Sequence, residues 1–245
     1  GLAASILSKP GATYVWTLVG GTIDSGQGTN AIDFTSGLPG TVMKVFVVET
    51  DATGCLGEAE DSLQVDFSDV PPTDPFYSFV CTVGRDGISA GCGGGFFCRD
   101  DPVTRAQMAV FLLKAEHTGA YLPPPCSGIF LDVPCPGQFT DWIEQLSTEG
   151  ITAGCGGGNY CPYSAVTRAQ MSAFLLKAKH GSTYQPPACV GRFGDVPCPS
   201  PFADWIEELA AEGITAGCGN GNYCPASPNS RGQMAVFLTK TFSLP

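Results

Sequence analysis

The chain of 245 residues repeats itself every 63 residues, with no insertion between copies. Cys92, Cys155 and Cys218 fall at that step, as do Cys98, Cys161 and Cys224. Phe67, Phe130 and Phe193 follow it too, with Asp69, Asp132 and Asp195, and Arg105, Arg168 and Arg231. A fixed period means that one supersecondary unit is built several times and that neighbouring copies bury each other's apolar faces. The expected division is therefore a β module over 1–66 and repeats over 67–125, 126–188 and 189–245.

Each copy reads as two helices around a glycine-rich loop. It opens on an FxDV element, seen as FSDV, FLDV and FGDV, and a proline-containing turn. Phe202, Trp205, Ile206 and Leu209 then stand at i, i+3, i+4 and i+7, one stripe of an amphipathic helix. Phe139, Trp142, Ile143 and Leu146 repeat the stripe, as do Phe76, Phe79, Val80 and Val83. The tryptophans are expected in the core, with sugar stacking as the alternative. Gly87, Gly150 and Gly213 stop these helices. The GxxAGCGxGxxC segment that follows permits tight positive-φ turns. Without the lysine and preceding strand of a P-loop, it carries no phosphate-binding expectation.

A second helix starts at VTRAQMAVFLLKA, VTRAQMSAFLLKA and NSRGQMAVFLTKT. Thr104 with Gln107, Thr167 with Gln170 and Ser230 with Gln233 have capping-box spacing. The arginine after each cap has no such local reason, because a cation beside the positive end of a helix dipole is mildly unfavourable. Two readings stand. Arg105, Arg168 and Arg231, with free N–H groups at the helix start, receive a carboxylate or another anion; or each pairs with an acid of a neighbouring helix, such as Glu207 or Glu208. His117 and His180 lie at the other end of these helices with Lys114, Lys177 and Lys179, where cations suit the negative terminus. Ser243 takes the matching place in the third copy, which argues against a catalytic histidine.

Twelve cysteines at short regular spacings beside two histidines fit a disulfide framework rather than metal sites. The expected pairs are Cys92–Cys98, Cys155–Cys161, Cys218–Cys224, Cys126–Cys135 and Cys189–Cys198. On a chain-entropy basis the shorter loops stabilise by roughly 2.4 kcal/mol each and the longer by roughly 2.7 kcal/mol. Cys55 and Cys81 remain. Either they bridge, or Cys55 pairs with a strand upstream and Cys81 stays a thiol or bonds another molecule. Disulfides place the protein outside the cell. A net charge of −11 excludes nucleic acid as a partner, since binding it needs a basic surface to displace counterions. No apolar run approaches the roughly 18 residues of a membrane span, so no membrane insertion is expected. The absence of an initiating Met and of a secretory signal suggests a mature form or a fragment.

Residues 12–67 read as short strands between glycine-rich turns. Tyr14, Trp16 and Leu18 share one face, as do Ile32 and Phe34, and Leu63, Val65 and Phe67. That alternation is the signature of an antiparallel sandwich, with Trp16 a core residue rather than a ligand platform. The stretch PGATYVWTLVGGTI with DATGC downstream resembles the PKD-like, immunoglobulin-type sandwiches that act as spacers in bacterial surface proteins. The resemblance implies one more strand before the point where this chain starts. Its absence either leaves an open edge that a neighbour's strand completes, or reflects a cut from a longer polypeptide.

With FxDV, FADWIEELAAEGITAGC and TRAQ before an apolar helix, residues 67–245 resemble three tandem S-layer homology domains. The fold class implied is multidomain: an all-β Ig-like sandwich lacking a strand, then a mainly α, pseudo-threefold module of helix–loop–helix repeats. The resemblance implies noncovalent anchoring to an anionic, often pyruvylated, cell-wall polysaccharide in grooves between copies. By motif alignment Arg105, Arg168 and Arg231 carry that role. Gln107, Gln170 and Gln233 stand where the family has Glu, Gly232 stands for Ala, and disulfide loops fill a turn that is ordinarily free of cysteine. These departures bear on the polymer specificity, and on the third groove most. The expected function is non-enzymatic, with no cofactor or metal, because no catalytic triad, metal-ligand cluster or acid pair is visible. The rival reading is a structural subunit of a filament or lattice, self-associating through the open sandwich edge.

Overall fold

A computed structural model describes residues 2–64 and 66–245; Val65, the middle member of the expected Leu63, Val65 and Phe67 face, lies outside the described residues. The chain forms two compact units, one of Gly1–Pro71 with Ala90–Phe97 and one of Pro72–Ser89 with Cys98–Pro245. The first copy's glycine loop thus groups with the β region. Phe97 N–H donates to the Asp69 carboxylate at 2.7 Å and Ser68 N–H to the Gly95 carbonyl at 2.9 Å. The Phe67 and Phe97 rings pack edge-on at 5.2 Å.

The β unit holds two antiparallel three-stranded sheets. Strands β1 (Leu2–Ser5), β3 (Gly21–Ser25) and β4 (Ala31–Ser36) form one, in the order β1-β4-β3. Strands β2 (Thr13–Val19), β5 (Val42–Thr50) and β6 (Leu56–Gln64) form the other, in the order β2-β5-β6. The period of two is kept: Tyr14 and Trp16 on β2, Ile32 and Phe34 on β4, and Met43 and Val47 on β5 point inward and make one core. Burying an indole requires a partner for its N–H. Trp16 Nε1–H donates to the Thr29 carbonyl at 2.7 Å, and the Trp16 backbone exchanges hydrogen bonds with the Gln27 side chain. Trp16 is a core residue.

The second unit holds α1 (Tyr77–Arg85), α2 (Arg105–His117), α3 (Thr140–Thr148), α4 (Arg168–His180), α5 (Ala203–Ala211) and α6 (Arg231–Phe242). Each first helix ends as its glycine dictates: Gly87, Gly150 and Gly213 take φ of 73–74°, and the next residue's N–H reaches back to Val83, Leu146 or Leu209. Each second helix opens on the capping box expected of Thr104, Thr167 and Ser230. The pairing of helices is not within copies. α2 packs on α3, α4 on α5, and α6 returns to α1, while α2, α4 and α6 contact one another. A closed ring of backbone hydrogen bonds pins the middle: Val103 N–H donates to Asn229 O, Asn229 N–H to Val166 O, and Val166 N–H to Val103 O, at 2.8–2.9 Å.

Disulfides join Cys126–Cys135, Cys155–Cys161, Cys189–Cys198 and Cys218–Cys224, and Cys92 and Cys98 are also disulfide-bonded. The Cys55–Cys81 bridge is not formed. Cys55 is an exposed thiol in the β5–β6 turn, where the Asp51 carboxylate accepts its N–H at 2.9 Å, and Cys81 lies half-buried on α1.

Candidate anion-binding clefts

The three arginines at the starts of α2, α4 and α6 are only 4–5% exposed. Each contacts groups that neither sequence reading named. Arg105 Nε–H donates to the Tyr160 carbonyl at 2.7 Å, and Arg168 Nε–H to the Tyr223 carbonyl at 2.9 Å. Arg105 Nη2 reaches Thr152 Oγ1 at 3.4 Å, and Arg231 Nη2 reaches Ser89 Oγ at 3.3 Å. Aromatic faces flank them: Tyr160 and Phe174 for Arg105, Tyr223 and Phe237 for Arg168, and Phe111 for Arg231.

The acids proposed as partners are engaged elsewhere. The Glu207 carboxylate accepts the N–H groups of Val190, Gly191 and Arg192 at 2.7–2.9 Å, and Glu208 accepts the Tyr184 hydroxyl. Glu144 holds the matching loop through Ser127, Gly128 and Ile129. Nor are the helix-start amides free. Arg105 and Ala106 donate to Ser164 O and Pro162 O, Arg168 and Ala169 to Ser227 O and Pro225 O, and Arg231 and Gly232 to Asp101 O and Arg99 O. Loop carbonyls of another copy take the N–H groups that an anion was expected to use.

Two clefts carry Arg105 and Arg168, each with a lysine in its lining. A cleft of about 220 Å³ is lined by Arg105, Thr152, Gln170, Phe174, Lys177 and Phe202, among others. A second, of about 240 Å³, is lined by the residues one period on, Arg168, Thr215, Gln233, Phe237 and Lys240, with Phe76 in the place of Phe202. Each cleft draws on all three copies: the arginine from one, the loop and second helix from the next, and the phenylalanine from the third. Neither lining contains a carboxylate. Burial depresses the pKa of Arg105 and Arg168, partly offset by nearby Tyr and Asp groups, yet a guanidinium stays charged. A buried charge short of partners favours an incoming anion. Arg168 Nη2 is fully buried with no hydrogen-bond partner.

The tryptophans are not fully inside. Trp142 and Trp205 are half-buried, each beside a lysine (Lys114 and Lys177, 5.9 Å) and a tyrosine (Tyr121 and Tyr184). Ile143, Leu146, Ile206 and Leu209 alone of the two stripes are fully buried. Asp132 and Asp195 cap the disulfide loops, accepting N–H from Tyr160 and Cys161 and from Tyr223 and Cys224 at 2.7 Å. Sequence reading saw Lys177 only as a helix-end cation and did not single out Lys240. Their recurrence at the arginine period was the available signal.

Residues 66–109 match the S-layer homology domain. The match runs from the FxDV element through α1 and the first glycine loop into α2. No curated protein matches the chain. The domain is a non-catalytic anchoring domain and supports attachment at the cell surface or cell wall, with cell-wall polymers as its typical partners. An extracellular setting follows, and the disulfides fit it. Among the described residues no helix is long and apolar enough to cross a membrane.

Proposed function

We propose that residues 67–125, 126–188 and 189–245 are three S-layer homology domains acting as one anchor, preceded over 1–66 by a PKD-like, immunoglobulin-type spacer. The anchor holds the protein noncovalently on an anionic, carboxylate-bearing cell-wall glycan such as a pyruvylated one, and the protein is not an enzyme. One observation carries this reading: a chain of net charge −11 keeps two repeat-related clefts lined by Arg and Lys and by no acid. Against so acidic a surface, a local pair of cations selects an anion at the cleft and repels it elsewhere. Arg105 and Arg168 supply the buried donors, Lys177 and Lys240 the more exposed charges, and Arg231 the third position beside Ser89.

The test is cosedimentation with cell-wall preparations before and after the acidic polymer is stripped. Lys177→Gln with Lys240→Gln should weaken binding about tenfold or more while leaving the fold intact, because the change gives up only the Lys177 contact with the half-buried Trp205 ring. Equal binding to stripped walls, or by the double variant, would remove the proposal.

The β unit favours a second role. Edge strands β1 and β6 flank a cavity of about 290 Å³ that reaches Trp16, Phe34, Met43 and Val47. A strand from another copy laid there would cover the core and pair the edges, building a filament or lattice. Electron microscopy of concentrated protein should then show ordered assemblies; monodisperse particles alone count against it.

A further inference from the structure

The repeat provides an internal control for every side chain, and at the far end of α2 it exposes a charge reversal. In the α4–α5 pair, Lys179 Nζ donates to Glu212 Oε2 at 2.8 Å and His180 Nε2 lies 2.6 Å from Glu212 Oε1. Both oxygens of that carboxylate are served. One period earlier, His117 Nε2 lies 2.9 Å from Glu149 Oε1, but the place of Lys179 belongs to Glu116. An anion stands where the equivalent site has a cation.

The consequence is visible in the hydrogen bonding. Glu116 Oε2 and Glu149 Oε2 are both fully buried and neither has a hydrogen-bond partner. Gln145 Nε2 serves only Oε1 of Glu149, at 2.7 Å. Single ligand atoms of Glu116, His117 and Glu149 lie within 4.8 Å of one another. A cation bonded at about 2.0–2.2 Å holds its ligands about 3–4 Å apart, within reach of small side-chain rotations here. The imidazole ring stacks on Tyr121 with 4.4 Å between centroids, which fixes its plane, and its side chain is 36% exposed, which leaves a path from solvent.

We propose that Glu116, His117 and Glu149 bind a divalent cation of the zinc class, which takes at the α2–α3 pair the place that the Lys179 ammonium fills at the α4–α5 pair. Two carboxylate oxygens and one imidazole nitrogen leave a position for water and suit zinc better than calcium or magnesium, which prefer all-oxygen shells. The site lies outside the clefts, and its role is to brace the packing of α3 on α2.

The experiment uses the full chain carrying Cys55→Ser, so that the exposed thiol takes up no metal, after dialysis against a chelator. Zinc chloride is titrated calorimetrically, the thermal midpoint is followed, and histidine ring signals are recorded by NMR. One equivalent of zinc should bind, raise the midpoint and shift the His117 ring while His180 stays in place. Glu116→Lys copies the second repeat, so it should fold, lose zinc binding by about a hundredfold or more and have a midpoint indifferent to zinc. Three results would overturn the assignment: no zinc uptake by the Cys55→Ser protein, uptake unchanged by Glu116→Lys, or ring shifts confined to His180. A midpoint that zinc does not move would also overturn it.

Discussion

Asn229 shows how one residue can depart from its repeat and leave a measurable trace. Its equivalents are Val103 and Val166, all three fully buried on the ring of backbone hydrogen bonds between copies. Asn229 Nδ2 has only a long contact of 3.8 Å to Met234 Sδ, and Oδ1 has no partner. A buried amide oxygen left unpaired costs about 1–3 kcal/mol. Asn229→Val, which restores the repeat, should stabilise the helical unit by about that amount in urea denaturation; a loss of stability would mean that the amide is satisfied in solution. Gly232 departs from the repeat with a reason. A Cβ there would stand 2.9 Å from the Phe76 ring, so the glycine leaves room for the first copy's phenylalanine. Gly232→Ala should therefore destabilise by about 1–3 kcal/mol through overpacking, with Phe76→Leu in the same chain recovering part of the loss. At this scale the sequence singled out Arg105, Arg168 and Arg231 because their position lacked a local reason. It did not show their surroundings, because the Tyr carbonyl that holds Arg105 or Arg168 lies 55 residues away in the next copy.

Among the elements, what was legible is what is decided within a turn of chain. The capping boxes span three residues and the glycine stops depend on one φ angle, so spacing alone placed the ends of the helices. The loops Cys126–Cys135 and Cys189–Cys198 were legible only as disulfides. Their second tether is the buried carboxylate of Glu144 or Glu207, which collects three loop amides from 15 to 17 residues away. That tether has a pH dependence of definite sign. Burial raises both carboxyl pKa values, but the loop amides outweigh it and hold them below the ordinary 4.5. A depressed carboxylate contributes stability above its unfolded pKa and loses it as pH falls through the lowered folded value. The thermal midpoint of the helical unit should therefore drop as pH falls below about 4.5. Glu144→Gln should destabilise at neutral pH by about 1–3 kcal/mol and flatten that acid slope. An unchanged slope in the variant would assign the acid sensitivity to other groups.

The molecule as a whole is governed by a fact that the repeat conceals: the copies are units of sequence, while the packed pairs are α2 with α3, α4 with α5 and α6 with α1. An open array of repeats loses one end unit at a time, because each contacts only its neighbours. Here the third copy closes the ring. Removing residues 189–245 takes away α5, the partner of α4, and α6, the partner of α1, together with Asn229 from the central hydrogen-bond ring. It also removes the Ser227 and Pro225 carbonyls that receive the amides at the start of α4, and leaves Arg168 without Tyr223. The N–H groups of Val103, Arg168 and Ala169, the Arg168 Nε–H and the Val166 carbonyl would then lose their partners at once, each costing on the order of 1–3 kcal/mol. That sum is comparable with the whole stability of a small domain. A chain ending at residue 188 should thus lose cooperative unfolding in all its helices, with collapsed NMR dispersion and fast amide exchange. If α2 and α3 kept native-like protection in that truncated chain, the copies would be independent and the closed-ring account of the clefts, each lined by three copies, would fall with it.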